Sequence, residues 1–549
     1  MGNPGRRTMS LTALTFIPAL AAIFLCCSTN LRAQSTPKQI AVPLPPMGWS
    51  SWNSFSNTVD SQVIVDQAKA MVSTGLRKAG YQYINIDEGW WLGRRDDCGN
   101  IVVDAKAWPA LTPGENAGDM SNIVRYIHGL GLKAGIYTDA GRDGCGTFFP
   151  DIGPGYPGEG SEGHYEQDFL QFAKWGFDYV KVDWCGGNKE NLDPAIQYAE
   201  IARAIARAEA ITGRRMYFSI CEWGKESPWT WAPGIGGLPA DIWRTSGDIV
   251  APIVAGSKDS GRRASFEKML SNFDQGIHPE AEHTGFYNDP DMMVLGMPGL
   301  TEAENRVHIS LWAMSGAPLL IGADLRKLNE AALAMLTNPA VIAVDQDALG
   351  LQAVKIAEQG TGHEVWSKRL ATAGARALLL LNRTAAPAPI SVEWRNLGLS
   401  DSSPATVTDV WSGKDAGSFD GSYTATVPAD DAVMVVVHGK EGRKTRYEAA
   451  IGSAALSKGH PVSFTHVTSR LPIAAIEIVY SNPDKASRFA ELRVNGQDAT
   501  RIAFPSTGRG SAKGAIWIQA LLDRPGKANV LTFSASCDPA PEIGSISVQ

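Results

Sequence analysis

Short apolar runs alternate with longer amphipathic segments between residues 40 and 335. The runs predict buried parallel strands, whereas the longer segments repeat their apolar residues with the period of a helix. The predicted strands are residues 46–49, 81–87, 132–138, 177–183, 216–221, 242–245, 292–295 and 318–322, and the clearest predicted helices are residues 61–78, 120–130, 165–175, 194–212, 264–273 and 302–314. Eight strands in alternation with helices predict a (β/α)8 TIM barrel over residues 40–335.

An open doubly wound sheet is the alternative architecture for the same alternation. Such a sheet normally carries a Gly-rich phosphate-binding turn between an early strand and the helix that follows it. The Gly-rich stretch at residues 153–158 follows no predicted strand and opens no helix with that spacing. We therefore interpret this stretch as an active-site loop of the barrel.

The pattern changes after residue 345. Residues 345–438 contain short alternating runs separated by Gly, Asp, Ser and Pro, which predict an antiparallel β-sandwich. A polar, basic linker follows, and residues 446–549 again contain short strands and turns, with a turn signal, RVNG, at 493–496. This last part predicts a jelly-roll-like β-domain, which is either a carbohydrate-binding module or a purely structural domain.

The 549 residues have a net charge of −7, and 44% are hydrophobic and 19% charged, as is ordinary for a soluble globular protein. The negative balance argues against nucleic acid or an anionic membrane as the main partner. A basic start at Arg6 and Arg7, an apolar run at residues 11–25 and a cleavage point after Ala33 predict a signal peptide over residues 1–33. We expect a secreted or periplasmic protein, with a retained membrane anchor as the alternative.

Five cysteines remain after the predicted leader, namely Cys98, Cys145, Cys185, Cys221 and Cys537. The odd number leaves at least one thiol free or paired outside the chain. No Cys or His spacing suggests zinc, and we expect neither a metal nor a cofactor. The alternative is a metal site built from the carboxylates Asp87, Glu88, Asp289 and Asp291.

Polar side chains stand at the carboxyl ends of the predicted strands, or close to strand seven. They are Trp52, Asp87, Glu88, Tyr137, Lys181, Asp183, Glu222, Arg244, Asp248, Asp289 and Asp291. This end of a barrel is where the fold does its chemistry. An ion pair at the rim would explain one carboxylate but not a ring of them. The ring suits glycoside hydrolysis, which needs one carboxylate for attack and one carboxylic acid to protonate the leaving oxygen.

Lys181 lies two residues before Asp183, so their side chains share one face of the predicted strand. The positive charge is expected to favour the ionised form of Asp183 and to lower its pKa. A low pKa suits a nucleophile, and two carboxyl groups with different duties need environments that separate their pKa values.

Six motifs in order resemble those of glycoside hydrolase family 27, the α-galactosidase and α-N-acetylgalactosaminidase group. They are PPMGW at 45–49, YINID at 83–87, GIY at 135–137, KVD at 181–183, CEW at 221–223 and NDPDM at 288–292. The resemblance spans residues 40–438 and implies a retaining double displacement on galactose-terminated saccharides.

The resemblance also assigns roles to individual residues. Asp183 matches the family nucleophile, and Asp248, in WRTSGD at 243–248, matches the acid/base, which implies a separation of about 5–5.5 Å between the two carboxyl groups. Positions that contact the sugar are matched by Trp52, Asp87, Tyr137, Lys181, Arg244 and Asp291. Cys145 and Cys185 match a disulfide that ties the loop after strand three to the nucleophile loop.

Two positions bear on substrate choice. Glu222 matches the form that recognises a hydroxyl at the sugar 2-position and so argues against N-acetylgalactosamine. Glu88 departs from the usual Asp-Asp pair at the end of strand two, and its extra methylene extends the carboxylate by about 1.5 Å. This length could crowd the exocyclic CH₂OH of galactose, so arabinopyranose-terminated saccharides are a second expected substrate, as in the β-L-arabinopyranosidases of the family.

Two other classes stay open from the residues alone. A non-catalytic sugar-binding protein on the same barrel would be favoured by loss of Asp183 or Asp248, but both residues are present. An isomerase or aldolase barrel would need a Schiff-base lysine, a metal or a phosphate site, and none stands out.

Overall fold

The computed structural model describes residues 1–2, 37–148, 156–237, 240–250, 263–449, 456–457, 459–510, 512–535 and 539–549. The predicted signal peptide, the Gly-rich stretch at 153–158 except for its last three residues, and Cys537 lie outside these ranges. Within them, the longest helices are too short or too polar to cross a membrane.

The barrel is an eight-stranded parallel sheet. Strand β1 (Lys38–Gln39) precedes it, and its own strands are β2 (Met47–Ser50), β3 (Tyr83–Ile86), β4 (Lys133–Asp139), β5 (Tyr179–Asp183), β6 (Tyr217–Cys221), β7 (Ile242–Arg244), β8 (Tyr287–Asp289) and β9 (Leu319–Ile321). Neighbours pair in chain order from β2 to β8, and β9 pairs with β2. A single bridge between Met293 and Ile321 joins the loop after β8 to β9. The predicted TIM barrel is confirmed.

Strand seven of the barrel lies five residues earlier than predicted. The strand is Tyr287–Asp289, and the apolar run at 292–295 is a buried loop that contributes only the bridge at Met293. A short apolar run does not distinguish a buried strand from a buried loop. The correction places Asp289 at the end of β8 and Asp291 just after it, so both lie on the same rim as the other carboxylates.

The helices are α1 (Trp52–Phe55), α2 (Ser61–Ser73), α3 (Leu76–Ala79), α4 (Ser121–Gly129), α5 (Tyr165–Trp175), α6 (Cys185–Lys189), α7 (Pro194–Thr212), α8 (Phe266–Gln275), α9 (Glu302–Ser315), α10 (Glu330–Leu336) and α11 (Pro339–Asp345). The helix predicted at 61–78 is two helices, because Gly75 between them adopts a φ of 87°. Asp193 caps α7 and Thr301 forms a capping box with Glu304 at α9. Two 3-10 segments, Pro228–Thr230 and Ala232–Gly237, stand between β6 and β7.

The second part is an antiparallel β-sandwich, as predicted. Its strands are β10 (Val354–Glu358), β11 (His363–Arg369), β12 (Ala375–Asn382), β13 (Ala388–Glu393), β14 (Ala405–Asp409), β15 (Asp415–Phe419), β16 (Ser422–Val427) and β17 (Asp431–His438). Six of them form a sheet in the order β10-β11-β12-β17-β14-β15, and β13 pairs with β16. A fully buried apolar cluster that includes Leu378, Trp394 and Val435 forms its core.

The C-terminal domain is a second β-sandwich. Its strands are β18 (Thr445–Glu448), β19 (Val462–Val467), β20 (Ile473–Ser481), β21 (Arg488–Val494), β22 (Thr500–Phe504), β23 (Gly514–Leu521), β24 (Asn529–Ser534) and β25 (Glu542–Val548). The turn predicted at 493–496 joins β21 to β22, with Asn495 and Gly496 at positive φ. Strand β1 pairs in parallel with β23, so the segment that leads into the barrel also edges the sheet β1-β23-β20-β25-β18.

Candidate active site

The carboxyl ends of the eight parallel strands meet at one rim. A strand pair shows the arrangement directly, because Asp139 at the end of β4 is in register with Asp183 at the end of β5. The rim brings together all of the charged residues predicted from the strand ends. Most of them are buried, namely Asp87, Glu88, Asp183, Glu222, Arg244 and Asp291.

Lys181 lies between two carboxylates. Its Nζ is 3.1 Å from Oδ2 of Asp87 and 3.6 Å from Oδ2 of Asp183, and it lies 5.3 Å from the centre of the Tyr137 ring. Only 16% of the lysine side chain is exposed, so water screens these attractions weakly. A single ammonium group therefore orients both acids.

Burial raises the pKa of Asp183 above its ordinary value, because an ionised carboxylate loses hydration there. The ammonium of Lys181 acts in the predicted direction and lowers the pKa, while the negative charge of Asp248 raises it again. The backbone N–H of Trp184 donates to Oδ1 of Asp183 at 2.9 Å. The net shift is upward, opposite to the sequence-based expectation, because burial outweighs the lysine.

Asp248 and Asp291 share one guanidinium group. Arg244 Nη2 lies 3.3 Å from Oδ1 of Asp248 and 3.1 Å from Oδ2 of Asp291. Asp248 has 43% of its side chain exposed, whereas Asp291 has 3%. Burial raises the pKa of Asp291 to about 6, and the arginine acts against this rise. The shared arginine thus links a solvent-facing carboxyl group to a buried one.

Asp291 has an unusual backbone. Its φ is 91°, which few residues other than glycine adopt, and such positions cluster at functional sites. The conformation lets its two oxygens accept from the N–H groups of Met292, at 2.7 Å, and Ile249, at 2.8 Å. The strain is held because Trp312 donates its indole N–H to the carbonyl of Asp291.

Asp87 is held by two serines that sequence analysis missed. Ser50 Oγ donates to Oδ2 of Asp87 at 3.2 Å, and Ser51 Oγ accepts from the Asp87 backbone N–H at 2.9 Å. Both serines follow the first strand of the barrel, and their position at a strand end was the available signal.

Glu88 is turned towards the loop after β4. Its Oε1 accepts from the backbone N–H of Gly146 at 2.7 Å, and Tyr137 donates its hydroxyl to Oε2 at 3.4 Å. Burial, followed by the charge of Glu159, raises the pKa of Glu88 well above its ordinary value. A Cβ at Gly144 would lie 2.5 Å from Oε1 of Glu88, so the loop can approach only with glycine there.

Glu222 is fully buried at the end of β6. One oxygen, Oε2, accepts from the backbone N–H of Glu226 at 2.9 Å, and burial raises the pKa of Glu222 to about 7. The other oxygen, Oε1, meets no hydrogen-bond donor among the described residues. A buried acceptor without a donor is available to a hydroxyl of a bound ligand.

An apolar patch faces the acids across the rim. Trp52, at the start of α1, packs with Met292 and Leu320 as a small separate cluster. Such a surface suits the apolar face of a pyranose ring.

Cys145 and Cys185 form the disulfide that the resemblance implied, with 40 residues between them in the chain. Cys185 opens α6, two residues after Asp183, so the bridge fixes the loop after β4 beside the nucleophile candidate. Ligand-type atoms of both cysteines, Asp139 and Asp183 lie within 4.8 Å of one another. The two sulfur atoms are bonded to each other, so they offer no thiolate to a metal.

The remaining cysteines and the proposed metal set are also placed. Cys98 is an exposed free thiol, and Cys221 is a buried one, 3.6 Å from Nη1 of Arg244. Asp87 and Asp291, which belong to the alternative metal set, each form an ion pair with a basic residue.

Family models match all three parts of the chain. The model described as alpha galactosidase A matches residues 44–347, and that described as the alpha galactosidase C-terminal beta sandwich domain matches residues 360–437. A model described as the CBM13 domain of alpha-galactosidase matches residues 462–548.

Individual relatives agree with these matches. The chain is 37% identical over 394 residues to the α-galactosidase of Oryza sativa subsp. japonica, covering 72% of this chain and 84% of the rice protein. It is 41% identical over 355 residues to α-galactosidase A of Cellvibrio japonicus, covering 64% of this chain and 80% of that protein. The crystal structure of α-galactosidase I from Mortierella vinacea superposes with a TM-score of 0.62 at 30% identity, covering 73% of this chain and 98% of the fungal one.

The matches cover the barrel with its rim of carboxylates, the sandwich that follows and the C-terminal domain. They confirm the resemblance carried by the six motifs. The chain belongs to the α-galactosidase family, glycoside hydrolase family 27, and is a glycoside hydrolase of the α-galactosidase type.

Proposed function

We propose that this α-galactosidase is a retaining exo-glycosidase that removes terminal α-D-galactosyl residues from oligosaccharides or polysaccharides. Asp183 is the nucleophile and Asp248 the acid/base. The observation that carries the proposal is the contrast between these two carboxyl groups. Asp183 is 6% exposed beside the Lys181 ammonium, whereas Asp248 is 43% exposed at the solvent side of Arg244. Retention needs two carboxyl groups in environments suited to different duties.

The reaction proceeds in two displacements. Ionised Asp183 attacks the anomeric carbon while Asp248 gives its proton to the glycosidic oxygen, so the bond to the leaving group breaks and a galactosyl ester of Asp183 forms. Asp248, now ionised, removes a proton from water. The hydroxide equivalent attacks the anomeric carbon, galactose leaves, and Asp183 returns as a carboxylate.

The rest of the rim binds the sugar. Asp87 and Asp291 offer carboxylate oxygens to sugar hydroxyls, and charged acceptors make the stronger hydrogen bonds. The free oxygen of Glu222 is assigned to the 2-hydroxyl. Trp52 covers the apolar face of the ring, while Lys181 keeps Asp87 and Asp183 in place.

Azide rescue tests the two roles separately. Asp183→Ala should lose activity on every galactoside, and azide should restore turnover with a β-galactosyl azide product. Asp248→Ala should lose about 100- to 10,000-fold on natural linkages but far less on dinitrophenyl galactoside, whose leaving group needs no proton. Azide should then give the α-galactosyl azide. An Asp183→Ala enzyme with residual turnover close to that of the parent would overturn the assignment.

The stereochemistry of the wild-type reaction gives an independent check. Proton NMR of the first product should show α-galactose before mutarotation. Initial release of β-galactose would mean inversion and would remove the nucleophilic role of Asp183.

A preference for β-L-arabinopyranosides is a second candidate, because Glu88 replaces the usual aspartate. L-Arabinopyranose has the ring configuration of galactose without the exocyclic CH₂OH. Both oxygens of Glu88 are engaged by Gly146 and Tyr137, and this anchoring favours galactose, since the carboxylate is held by the loop.

The ratio of kcat/KM on p-nitrophenyl α-D-galactoside and β-L-arabinopyranoside tests this candidate. If Glu88 crowds the CH₂OH group, Glu88→Asp should shift the ratio towards galactose by about 10- to 200-fold. A strong galactoside preference that does not change in the variant would end the arabinopyranoside hypothesis.

Export is part of the proposal and rests on the basic and apolar pattern of the first 33 residues. N-terminal sequencing of protein recovered outside the cytoplasm should begin near Gln34. An intact N-terminus on membrane-bound protein would favour the retained anchor.

A further inference from the structure

A cleft of about 560 Å³ lies between the two β-domains. Its walls come from the sandwich around β10, β11 and residues 395–399, and from the C-terminal domain around residues 442–445 and 468–475. No residue of the catalytic rim lines it. Five of the lining residues are arginines and none is Asp or Glu, although the whole chain carries a net charge of −7; the five are Arg369, Arg376, Arg395, Arg443 and Arg470.

Two of these arginines are buried and share one carboxylate. Arg369 and Arg376 have 9% and 2% of their side chains exposed. Both pair with Glu441, at 3.2 Å and 3.1 Å. Burial, together with the charge of Arg376, lowers the pKa of Arg369 to about 10. Two cations against one anion leave a positive charge in the wall of the cleft.

Arg369 is also fixed by an aromatic contact. Its guanidinium lies 4.1 Å from the centre of the Trp517 ring, and the Lys444 ammonium lies 4.5 Å from the same ring. The wall is therefore built from side chains that cannot swing away from the cleft.

Two further arginines are exposed at the mouth. Arg443 and Arg470 make no ion pair or hydrogen bond with any side chain in the ranges that the structure describes. Arg395 has a partner, the exposed Glu393. Thus two guanidinium forks are available to an incoming group, next to the fixed positive wall.

Guanidinium recognises planar oxyanions through two parallel hydrogen bonds. A cleft of 300–1,000 Å³ at a domain interface is the usual size and place for a small-molecule or oligosaccharide site. Hydroxyl and amide side chains complete the lining and suit sugar hydroxyls; they are Asn396, Thr445, Thr468, Ser469 and Gln519. The combination of forks for an anion with hydroxyl partners fits a charged saccharide better than a neutral one.

We propose that this cleft binds a saccharide chain that carries carboxylate groups, such as a uronic-acid-containing polysaccharide. The site is separate from the galactosyl site and rests on the proposed function only in taking a saccharide as the ligand. It would hold the enzyme on an acidic polymer while the rim removes galactosyl ends.

Affinity electrophoresis of the full chain tests the proposal, with gels that contain polygalacturonate, neutral galactomannan or no polymer, and with free galactose present to occupy the catalytic rim. Polygalacturonate should retard the wild-type protein. Arg443→Gln/Arg470→Gln should weaken this retardation at least about tenfold, since hydrogen bonds to charged groups are among the stronger ones.

Arg509→Gln/Arg524→Gln is the matched control, because both arginines are exposed on the same domain and outside the cleft. It removes the same charge and should change the retardation by less than about twofold, as expected for distant exposed charges. Equal losses in both double variants would mean non-specific attraction and would overturn the site. Retardation of the wild type by galactomannan alone, or by neither polymer, would overturn it as well.

Sulfated dextran and inorganic phosphate distinguish the oxyanion. The proposal expects oligogalacturonate to displace the enzyme from the polymer at lower concentration than either. Tighter competition by sulfate or phosphate would overturn the assignment to carboxylate. Turnover of p-nitrophenyl α-D-galactoside should be the same in all of these variants, and its absence in the wild type would count against the proposed function, whatever the binding result.

Discussion

Lys181 and Asp183 stand on the same face of β5 with 3.6 Å between Nζ and Oδ2, and the lysine is the main influence that keeps the buried acid ionised. Burial pushes the pKa of Asp183 up while the ammonium pulls it down. The nucleophile candidate is therefore balanced between two opposing effects, and catalysis at acid pH depends on that balance.

Replacing Lys181 by Met should raise the pKa of Asp183 further. An acid that must be ionised to attack then loses its active form at higher pH, so the acid limb of the kcat/KM profile should move to higher pH. The loss should be larger at pH 5 than at pH 7. Lys133→Met is the control, because this lysine lies at the start of β4 beside Tyr83, away from the rim. An acid limb that does not move in Lys181→Met would contradict the role of the ammonium.

Asp291→Asn should destabilise the fold, because Arg244 would remain buried without its buried partner. The two side chains are 4% and 3% exposed at 3.1 Å, and removing one partner of such a pair costs about 3–5 kcal/mol. Urea unfolding measures the change. Glu166→Gln in the exposed pair with Arg207 serves as the comparison and should cost at most about 1 kcal/mol. Equal effects of the two substitutions would refute the argument.

The periodicity of the chain was enough to predict the barrel, because strand and helix periods depend only on local sequence. The pairing of Lys181 with Asp183 followed from the same period of two. Strand seven was misplaced, since the run at Met292 is apolar for the sake of burial and not for strand pairing. Local pattern cannot separate these two reasons.

Long-range contacts escaped the sequence. The pairing of β1 with β23 joins residues more than 470 positions apart, and nothing in the two short segments announces it. The anchoring of Glu88 by Gly146 depends on how the loop after β4 packs, 58 positions along the chain. The positive φ of Asp291 depends on Trp312 and Ile249, which again are brought close only by the fold.

Removing the disulfide with Cys145→Ala/Cys185→Ala should lower both stability and activity. A closed loop of 40 residues contributes at most roughly 4 kcal/mol in the chain-entropy model, and a large barrel should show less. The kcat/KM should fall because the bridge fixes the loop beside Asp183. Differential scanning fluorimetry with and without reductant measures the first effect, with Cys98→Ser as the control for an exposed thiol. A reductant effect of equal size in the variant that lacks the bridge would contradict this explanation.

Glu159→Gln should stabilise the protein at alkaline pH. Burial raises the pKa of Glu159 from 4.5 to about 8, so between these values the unfolded chain releases a proton that the folded chain keeps. Wild-type stability from this group therefore falls as pH rises from about 4.5 to 8, and the amide removes that loss at about 1.4 kcal/mol per pKa unit at most.

The two proteins should unfold at similar temperatures near pH 4.5, and the glutamine variant should unfold at a higher temperature at pH 8. Glu115→Gln supplies a control of opposite sign, because Arg125 lowers the pKa of Glu115 to about 2. That substitution should destabilise the protein at neutral pH, and the difference should vanish as pH falls towards 2. If Glu159→Gln shifts the unfolding temperature equally at pH 4.5 and pH 8, the carboxyl group does not titrate in the folded protein as the structure implies.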